Sequence, residues 1–206
     1  MSRFFYIIVL YFFALTASAQ DFSSFSQAKK YLSKQITEDS RTLYCNCGIT
    51  KRGKKLVPDT TSCGYAARLP YTRNGKENAR ANRIEWEHIV SAWEFGHQLQ
   101  CWQQGGRKHC RKVSEKFRKM EADIHNLAPA IGEINGDRSN YRFSMLPNTE
   151  ANYGACPVKI DFKLRRIEPP YYARKRIADA YFYMEKTYGL KISTQQRKLF
   201  TAWQKQ

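Results

Sequence analysis

Along the chain the apolar positions change period several times, and each change marks an expected element. Phe25, Ala28, Leu32 and Ile36 recur at helical spacing behind Ser23 and Ser24, either of which can cap a first turn, so a helix is expected there. From Tyr44 to Asn82 no period is sustained. The stretch is rich in Gly, Pro, Asn, Thr and basic residues, and reads as loops and short strands. "RIEWEHIVSA", Arg83 to Ala92, reads as a strand running into something tighter. "GHQLQCWQQGGRKHCRK" sets two adjacent glycines among basic and polar residues, and a flexible basic loop is expected. Ser114 to Asp123 has helical character, with Phe117 and Met120 on one side.

Further on, "IHNLAPAIGEINGDRSNYRF" mixes turn signals with a short helix expected from Pro129, which suits a first helical turn, to about Asp137. Pro169-Pro170 precedes a clearer helix carrying Ile177, Tyr181, Met184 and Tyr188, stopped by Gly189. The last helix opens on Ser193-Thr194-Gln195-Gln196, a capping-box pattern, and turns Leu199, Phe200 and Trp203 inward. Short strands and helices without an internal repeat or a low-complexity linker give one α+β domain.

The first residues change the picture of where that domain works. "MSRFFYIIVLYFFALTASAQ" has a short basic start with Arg3, an apolar run from Phe4 to Leu15 and small residues ending Ala17-Ser18-Ala19. This is the layout of a secretory signal peptide over residues 1–19, cleaved after Ala19. The apolar run is shorter than the ~20 residues a membrane span needs, and no later stretch approaches that length. The mature chain, 20–206, is expected to be exported, to the periplasm or the medium, and monomeric.

Charge narrows the partner. The net charge of +17 becomes +16 once Arg3 is removed, and such an excess predicts a polyanion: nucleic acid, an anionic lipid surface or an acidic polysaccharide. Charge alone does not choose among them. Six cysteines, Cys45, Cys47, Cys63, Cys101, Cys110 and Cys156, read in an oxidising compartment as three disulfides. Cys101–Cys110 would close a short loop around Gly105-Gly106, leaving Cys45-x-Cys47 to join Cys63 and Cys156. The competing zinc reading is poor, because C-x-C with scattered partners does not match paired C-x2-C spacing.

The chemistry candidates are few. Only four histidines occur, His88, His97, His109 and His125, and no two are placed as zinc ligands on one helix face. Neither G-x-S-x-G nor a phosphate-cradling Gly-rich loop is present, so serine-hydrolase and P-loop chemistry have nothing to stand on. Glu87 and His88 are adjacent, and on a regular strand they would point to opposite faces. Both can serve one site only where the strand ends or bulges. A packed or solvated His88 is the plain alternative. "GEINGDRSNYRF" offers Glu133, Asn135, Asp137, Arg138 and Asn140, although Asn135-Gly136 can also be just a turn. Glu87 with Asn135 would make a small, hard oxygen set of the kind Mg2+ accepts. Arg107 is suited to gripping a phosphate with two N–H groups.

Taken together, "LYCNCG", "SCGY", "EWEH", "CWQQGGRKHC", "MEADIHNLAPAIGEINGDRSNYRF" and "YGAC" resemble the bacterial endonuclease I family of exported, sequence-nonspecific nucleases. The resemblance runs from about Leu43 to the final helix. It implies a disulfide-stapled domain with a ββα-metal (His-Me finger) site, in which two strands and a helix hold one divalent ion, Mg2+ with Mn2+ or Ca2+ as substitutes. At matching positions it implies Glu87 and Asn135 as metal ligands and His88 as general base. Arg107 would contact the scissile phosphate, and Glu121, of "MEAD", would orient or polarise the centre.

The resemblance further implies DNA as substrate, RNA as a second one, and products with 5′-phosphate ends. One departure is visible: the family continues "EWEH" with a Val-Pro-Ala type sequence, whereas this chain has Ile89-Val90-Ser91-Ala92. The alternative class is a noncatalytic cationic protein bound to nucleic acid or the envelope. Such a binder accounts for the charge but has no use for Glu87, His88 and Asn135. Binding dominated by phosphate contacts is expected to weaken steeply with salt.

Overall fold

Ser24 caps the first helix, α1 (Phe25–Lys34), by accepting from the Gln27 backbone N–H, and Ala28 on its inner face is buried. Ile36, placed with this helix by its spacing, lies just beyond the helix end. The computed structural model describes residues 22–206, so the leader expected over 1–19 lies outside the described residues. Strands β1 (Gly48–Arg52) and β2 (Lys55–Asp59) pair antiparallel up to Arg52 and Lys55. Only Gly53-Lys54 is left for the turn, where Gly53 has φ +60°, a conformation that two-residue hairpin turns favour and glycine adopts without strain. The short strands expected between Tyr44 and Asn82 are these.

Strand β3 (Ile84–His88) is regular in register to its last residue and stops at His88. The adjacency of Glu87 and His88 is thus resolved by a strand end, not a bulge. Past it, Asn126 holds the exit: its carbonyl accepts from Ile89, its side-chain oxygen accepts from Val90 and its side-chain NH2 donates back to the Val90 carbonyl. Ser91, where the family pattern has Pro, caps the short helix α2 (Ala92–Gly96) by accepting from Glu94 N–H at 3.2 Å.

Two expectations are corrected here. The glycine-containing segment after Gly96 is not a flexible loop but helix α3 (Gln100–Val113), kinked at Gly105 and Gly106. Gln, Arg and Lys are good helix formers, and the Cys101–Cys110 disulfide clamps the two halves together across the kink. Gly106 has φ +60°, so the break itself favours glycine. Arg107 accordingly sits on a helix rather than on a mobile loop.

After α4 (Glu115–Ala122), capped by Ser114 and burying Phe117 and Met120, a 3-10 turn (Ile124–Asn126) leads into β4 (Leu127–Ile131). Pro129 is therefore in a strand and does not open a helix; helix α5 begins only at Gly132 and ends at Arg138 (Gly132–Arg138). All five residues of β4 are buried against β3, and that burial outweighs the helical suitability of Pro129. Its carbonyl accepts from Leu43 N–H at 2.8 Å, on the edge facing away from β3, so the absent proline N–H costs the β3 ladder nothing.

A three-stranded sheet follows, with β5 (Arg142–Phe143) parallel and β6 (Lys159–Asp161) antiparallel to the central β7 (Arg166–Glu168). The last helices are α6 (Tyr171–Tyr188), ended by left-handed Gly189, and α7 (Thr194–Gln204), capped by Ser193. Gln196 does not complete the capping box, because its side-chain NH2 bonds the Phe143 carbonyl instead. Phe143, Tyr181, Phe200 and Trp203 form an aromatic core between this sheet and the two helices. Among the described residues no helix is long and apolar enough to cross a membrane.

Three disulfides join Cys45–Cys156, Cys47–Cys63 and Cys101–Cys110, which consumes every cysteine and leaves none for zinc. Cys45–Cys156 ties the irregular N-terminal third to the chain beyond α5. The fold is α+β, with the β3–β4 pair and the α5 that directly follows it at its centre.

Candidate active site

A cleft of about 960 Å3 opens over β3 and α5, walled by α1 on one side and the β1–β2 hairpin on another. Glu85, Glu87, His88, Arg107 and Asn135 all line it, together with the cations Lys29, Lys30, Lys54 and Lys55. Four of the five residues picked from sequence are thus brought to one place. The fifth, Glu121, stands behind the wall. Of the other donors in "GEINGDRSNYRF", Glu133 and Asp137 do not line the cleft and are engaged elsewhere. Glu133 accepts from Tyr65, from the Arg68 and Leu69 backbones and from Asn78, while Asp137 pairs with Arg68 and Tyr153. Asn140 bonds Arg165 on the surface.

Glu87 is almost fully buried at 2% exposure. Its Oε1 accepts from the Tyr44 hydroxyl at 2.6 Å and faces the Arg138 guanidinium at 3.1 Å. Burial lifts the carboxyl above the usual range, against the pull of Arg138 and the Tyr44 bond. Oε2 carries no hydrogen bond among the described residues. A divalent cation beside that oxygen would favour the ionised form. Arg138, 1% exposed, also donates to the His88 and Ile89 carbonyls at 2.8 and 2.7 Å. Helix α5 thereby holds the end of β3 through one buried guanidinium, whose charge is met by Glu87.

His88 is buried too, with its ring 4.5 Å from that of Phe25. Nε2 lies 2.8 Å from the backbone carbonyl oxygen of Glu121. A carbonyl only accepts, so Nε2 carries the proton and the neutral ring leaves Nδ1 as its lone-pair nitrogen. Burial pushes the pKa down to about 4, aided by the Arg107 charge and opposed by the Glu121 carbonyl bond. At neutral pH the imidazole is therefore uncharged, as a base must be.

Asn135, on α5, donates from Nδ2 to Glu85 Oε2 at 2.7 Å, which leaves Oδ1 without a bond among the described residues. One oxygen of Glu87 and one of Asn135 are thus uncommitted at the same cleft, a carboxylate and a neutral amide. This hard donor set fits a cation that keeps much of its hydration, as Mg2+ does.

Glu121 is 3% exposed and receives Arg107 Nε at 2.6 Å and Arg111 Nε at 2.8 Å. Burial alone would raise its carboxyl, but the two arginines outweigh that and hold it below the usual range. The terminal N–H groups of Arg107 carry no hydrogen bond among the described residues, so they are available to a phosphate at the cleft wall. Glu121 thus serves two groups, anchoring Arg107 through its side chain and His88 through its backbone.

Tyr44 and Glu85 escaped the sequence reading. A signal for Glu85 existed: on a strand, residues i and i+2 share a face, so Glu85 belongs with Glu87. Burial pushes its carboxyl up, but bonds from Arg80, Arg83 and Asn135 prevail and hold it low. Tyr44 had no such signal, being 43 residues from Glu87.

The family model for "Endonuclease I" matches residues 24–206. An "Extracellular deoxyribonuclease" of Aeromonas hydrophila is 52% identical over 191 residues, spanning 92% of this chain and 80% of that protein. A "Periplasmic deoxyribonuclease" of the same species is 53% identical over 189 residues, 91% of this chain and 76% of that protein. "Endonuclease-1" of Buchnera aphidicola subsp. Acyrthosiphon pisum is 49% identical over 182 residues, covering 88% and 70% of the two chains.

Proposed function

The chain belongs to the endonuclease I family, and from that premise we propose that it is an exported endonuclease cutting DNA with one divalent metal ion and His88 as general base. Relatives named extracellular and periplasmic deoxyribonucleases support both the substrate and the exported location. The cationic cleft, with Lys29 and Lys30 on α1 and Lys54 and Lys55 on the hairpin, suits a phosphate backbone. Phosphate contacts carry no base information, which fits cleavage without sequence preference, RNA included.

The observation that carries the mechanism is the Nε2 bond of His88 to the Glu121 carbonyl, at a cleft shared with the free oxygens of Glu87 and Asn135. His88 Nδ1 takes the proton from the attacking water as its oxygen bonds the scissile phosphorus and the bond to the 3′ oxygen breaks. The 3′ oxygen leaves with a proton taken from solvent, and the phosphate stays on the 5′ oxygen of the other fragment. Arg107, anchored by Glu121, grips a phosphate oxygen before and after that step. Glu87 Oε2 and Asn135 Oδ1 would hold the cation, in a ββα-metal arrangement of β3, β4 and α5. When bound, Mg2+ supplies positive charge that offsets the negative charge growing on the phosphoryl oxygens. A single carboxylate and a neutral amide would leave net positive charge at the ion.

The test is cleavage of supercoiled plasmid by the purified mature protein in Mg2+ and in EDTA. Nicked and linear products that need the metal are expected. Plasmid retarded on the gel yet uncut in every lane would replace the enzyme with a cationic binder.

A further inference from the structure

We infer that Glu85 is a positioning residue of the metal centre, one that sets which end of the Asn135 side-chain amide faces the cation. The inference rests on the metal-centre reading above. An amide has two ends of nearly equal shape and opposite chemistry: Oδ1 can bind a cation, and the Nδ2 hydrogens repel one. Something must therefore choose between two rotations of the Asn135 side chain. The sole side-chain hydrogen bond of Asn135 among the described residues is the one to Glu85 Oε2, at 2.7 Å. A carboxylate only accepts, so it engages the NH2 end and leaves Oδ1 for the cleft.

Glu85 is itself held on both oxygens. Arg80 donates from Nε to Oε1 at 3.0 Å and from Nη2 to Oε2 at 2.5 Å. Arg83 adds two bonds to Oε1, at 2.9 and 2.6 Å. With every oxygen committed to guanidinium or amide N–H groups, Glu85 is an orienter rather than a ligand. Its charge is already answered by two arginines, so the cation gains little direct attraction from it.

The glycines of "GEING" make room for this apparatus. A Cβ at position 136 would lie 2.1 Å from Arg80 Nη1, and one at position 132 would lie 2.8 Å from the Arg80 carbonyl oxygen and 2.9 Å from Glu85 Oε1. Neither glycine has a positive φ, so what they supply is space, not backbone freedom. Strand β3 thus carries the ligand Glu87 and the orienter Glu85 on one face. Helix α5 carries the oriented residue Asn135 and a bare flank against which Arg80 lies.

The experiment is Mn2+ titration of the mature protein, read by the electron paramagnetic resonance signal of the free ion, without DNA or turnover. Glu85→Gln keeps the side chain's size but can donate, so the Asn135 amide is free to reverse. Its Mn2+ affinity is expected to fall by about 10- to 100-fold, the usual scale for losing a ligand's partner, with an unchanged circular dichroism spectrum. The same change is then made with Asn135→Asp, whose two oxygens are equivalent and need no orienting. There the further loss is expected to be no more than about twofold. A merely structural role would weaken both backgrounds equally, and that result overturns the inference, as does an unchanged affinity of Glu85→Gln alone.

Gly136→Ala, which displaces Arg80 and leaves the carboxylate in place, is expected to weaken Mn2+ binding in the same direction. It keeps the test open if Glu85→Gln does not fold, and unchanged Mn2+ binding in this variant counts against the inference. Wild-type protein that binds no Mn2+ removes the metal centre itself, and the inference with it. Wild-type binding lost in Glu87→Ala but kept in Glu85→Gln removes the inference alone.

Discussion

His88 donates from Nε2 to the backbone carbonyl oxygen of Glu121 at 2.8 Å, and that one bond decides which ring nitrogen is basic. The carbonyl belongs to the last turn of α4, far along the chain from β3, so the tautomer is fixed by how α4 packs. Replacing His88 by Ala removes the proposed base and leaves the cations of the cleft in place. Plasmid cleavage is expected to fall by about 10²- to 10⁴-fold, with DNA affinity by filter binding within a few-fold of wild type. Cleavage at the wild-type rate would assign the base elsewhere.

Stability should carry the mark of the same residue. Burial sets the folded-state pKa of His88 at about 4, below the 6.5 of a free imidazole. As the pH falls, the unfolded chain takes up the proton first. Above pH 6.5 both states are neutral and nothing is lost; between 6.5 and about 4 the folded state is progressively disfavoured. The total is on the order of 3 kcal/mol. Urea denaturation in EDTA at pH 7.5, 6 and 5 should therefore show wild type losing more stability than His88→Gln. Parallel curves would mean that His88 titrates normally in the folded protein.

Glu121 and Arg107 act as one unit. The buried carboxylate fixes Arg107 Nε at 2.6 Å, and without it the guanidinium has no anchor at the cleft wall. Glu121→Ala and Arg107→Ala are each expected to lower cleavage by about 100-fold, the scale of misplacing a positioning group. The double variant should be little worse than either single one. Multiplicative losses would show that the two residues work independently.

The disulfides should rank by the loop each closes. Chain entropy predicts about 5 kcal/mol for the longest loop and roughly 3 kcal/mol for each of the shorter two. Cys45–Cys156 spans 111 residues, against 16 for Cys47–Cys63 and 9 for Cys101–Cys110. Paired Cys→Ser variants, compared by denaturant midpoint, are expected to lose stability in that order. Removing Cys101–Cys110 should in addition depress cleavage beyond its stability effect, because Arg107 sits inside that bridge. A Cys101–Cys110 variant as active as wild type would mean that Glu121 alone suffices to hold Arg107.

Local signals settled much of the architecture. Ser24 and Ser193 cap the helices they were expected to cap, and Gly189 ends α6 in the left-handed region, because capping is chemistry among residues a few positions apart. The adjacency of Glu87 and His88 demanded a strand end or a bulge, since alternation along a strand is a geometric rule, and β3 stops there. The six blocks from "LYCNCG" to "YGAC" also carried the family to which the chain belongs.

What local signals could not decide were the places where burial overrode them. Gly105-Gly106 looked like a loop but became a kink inside a disulfide-clamped helix. Pro129 looked like a helix start but was drawn into β4 by a run of five buried residues. The support of the site was hidden for a related reason. Tyr44 reaches Glu87 across 43 positions, Glu85 reaches Asn135 across 50, and the Glu121 carbonyl reaches His88 across 33. Glu87, His88, Arg107, Glu121 and Asn135 were each legible as a residue type in a motif. Their charge state, tautomer and orientation were not, because they are set by partners that only the packing of α4, α5 and the disulfide-tied N-terminal segment against β3 brings within 3 Å.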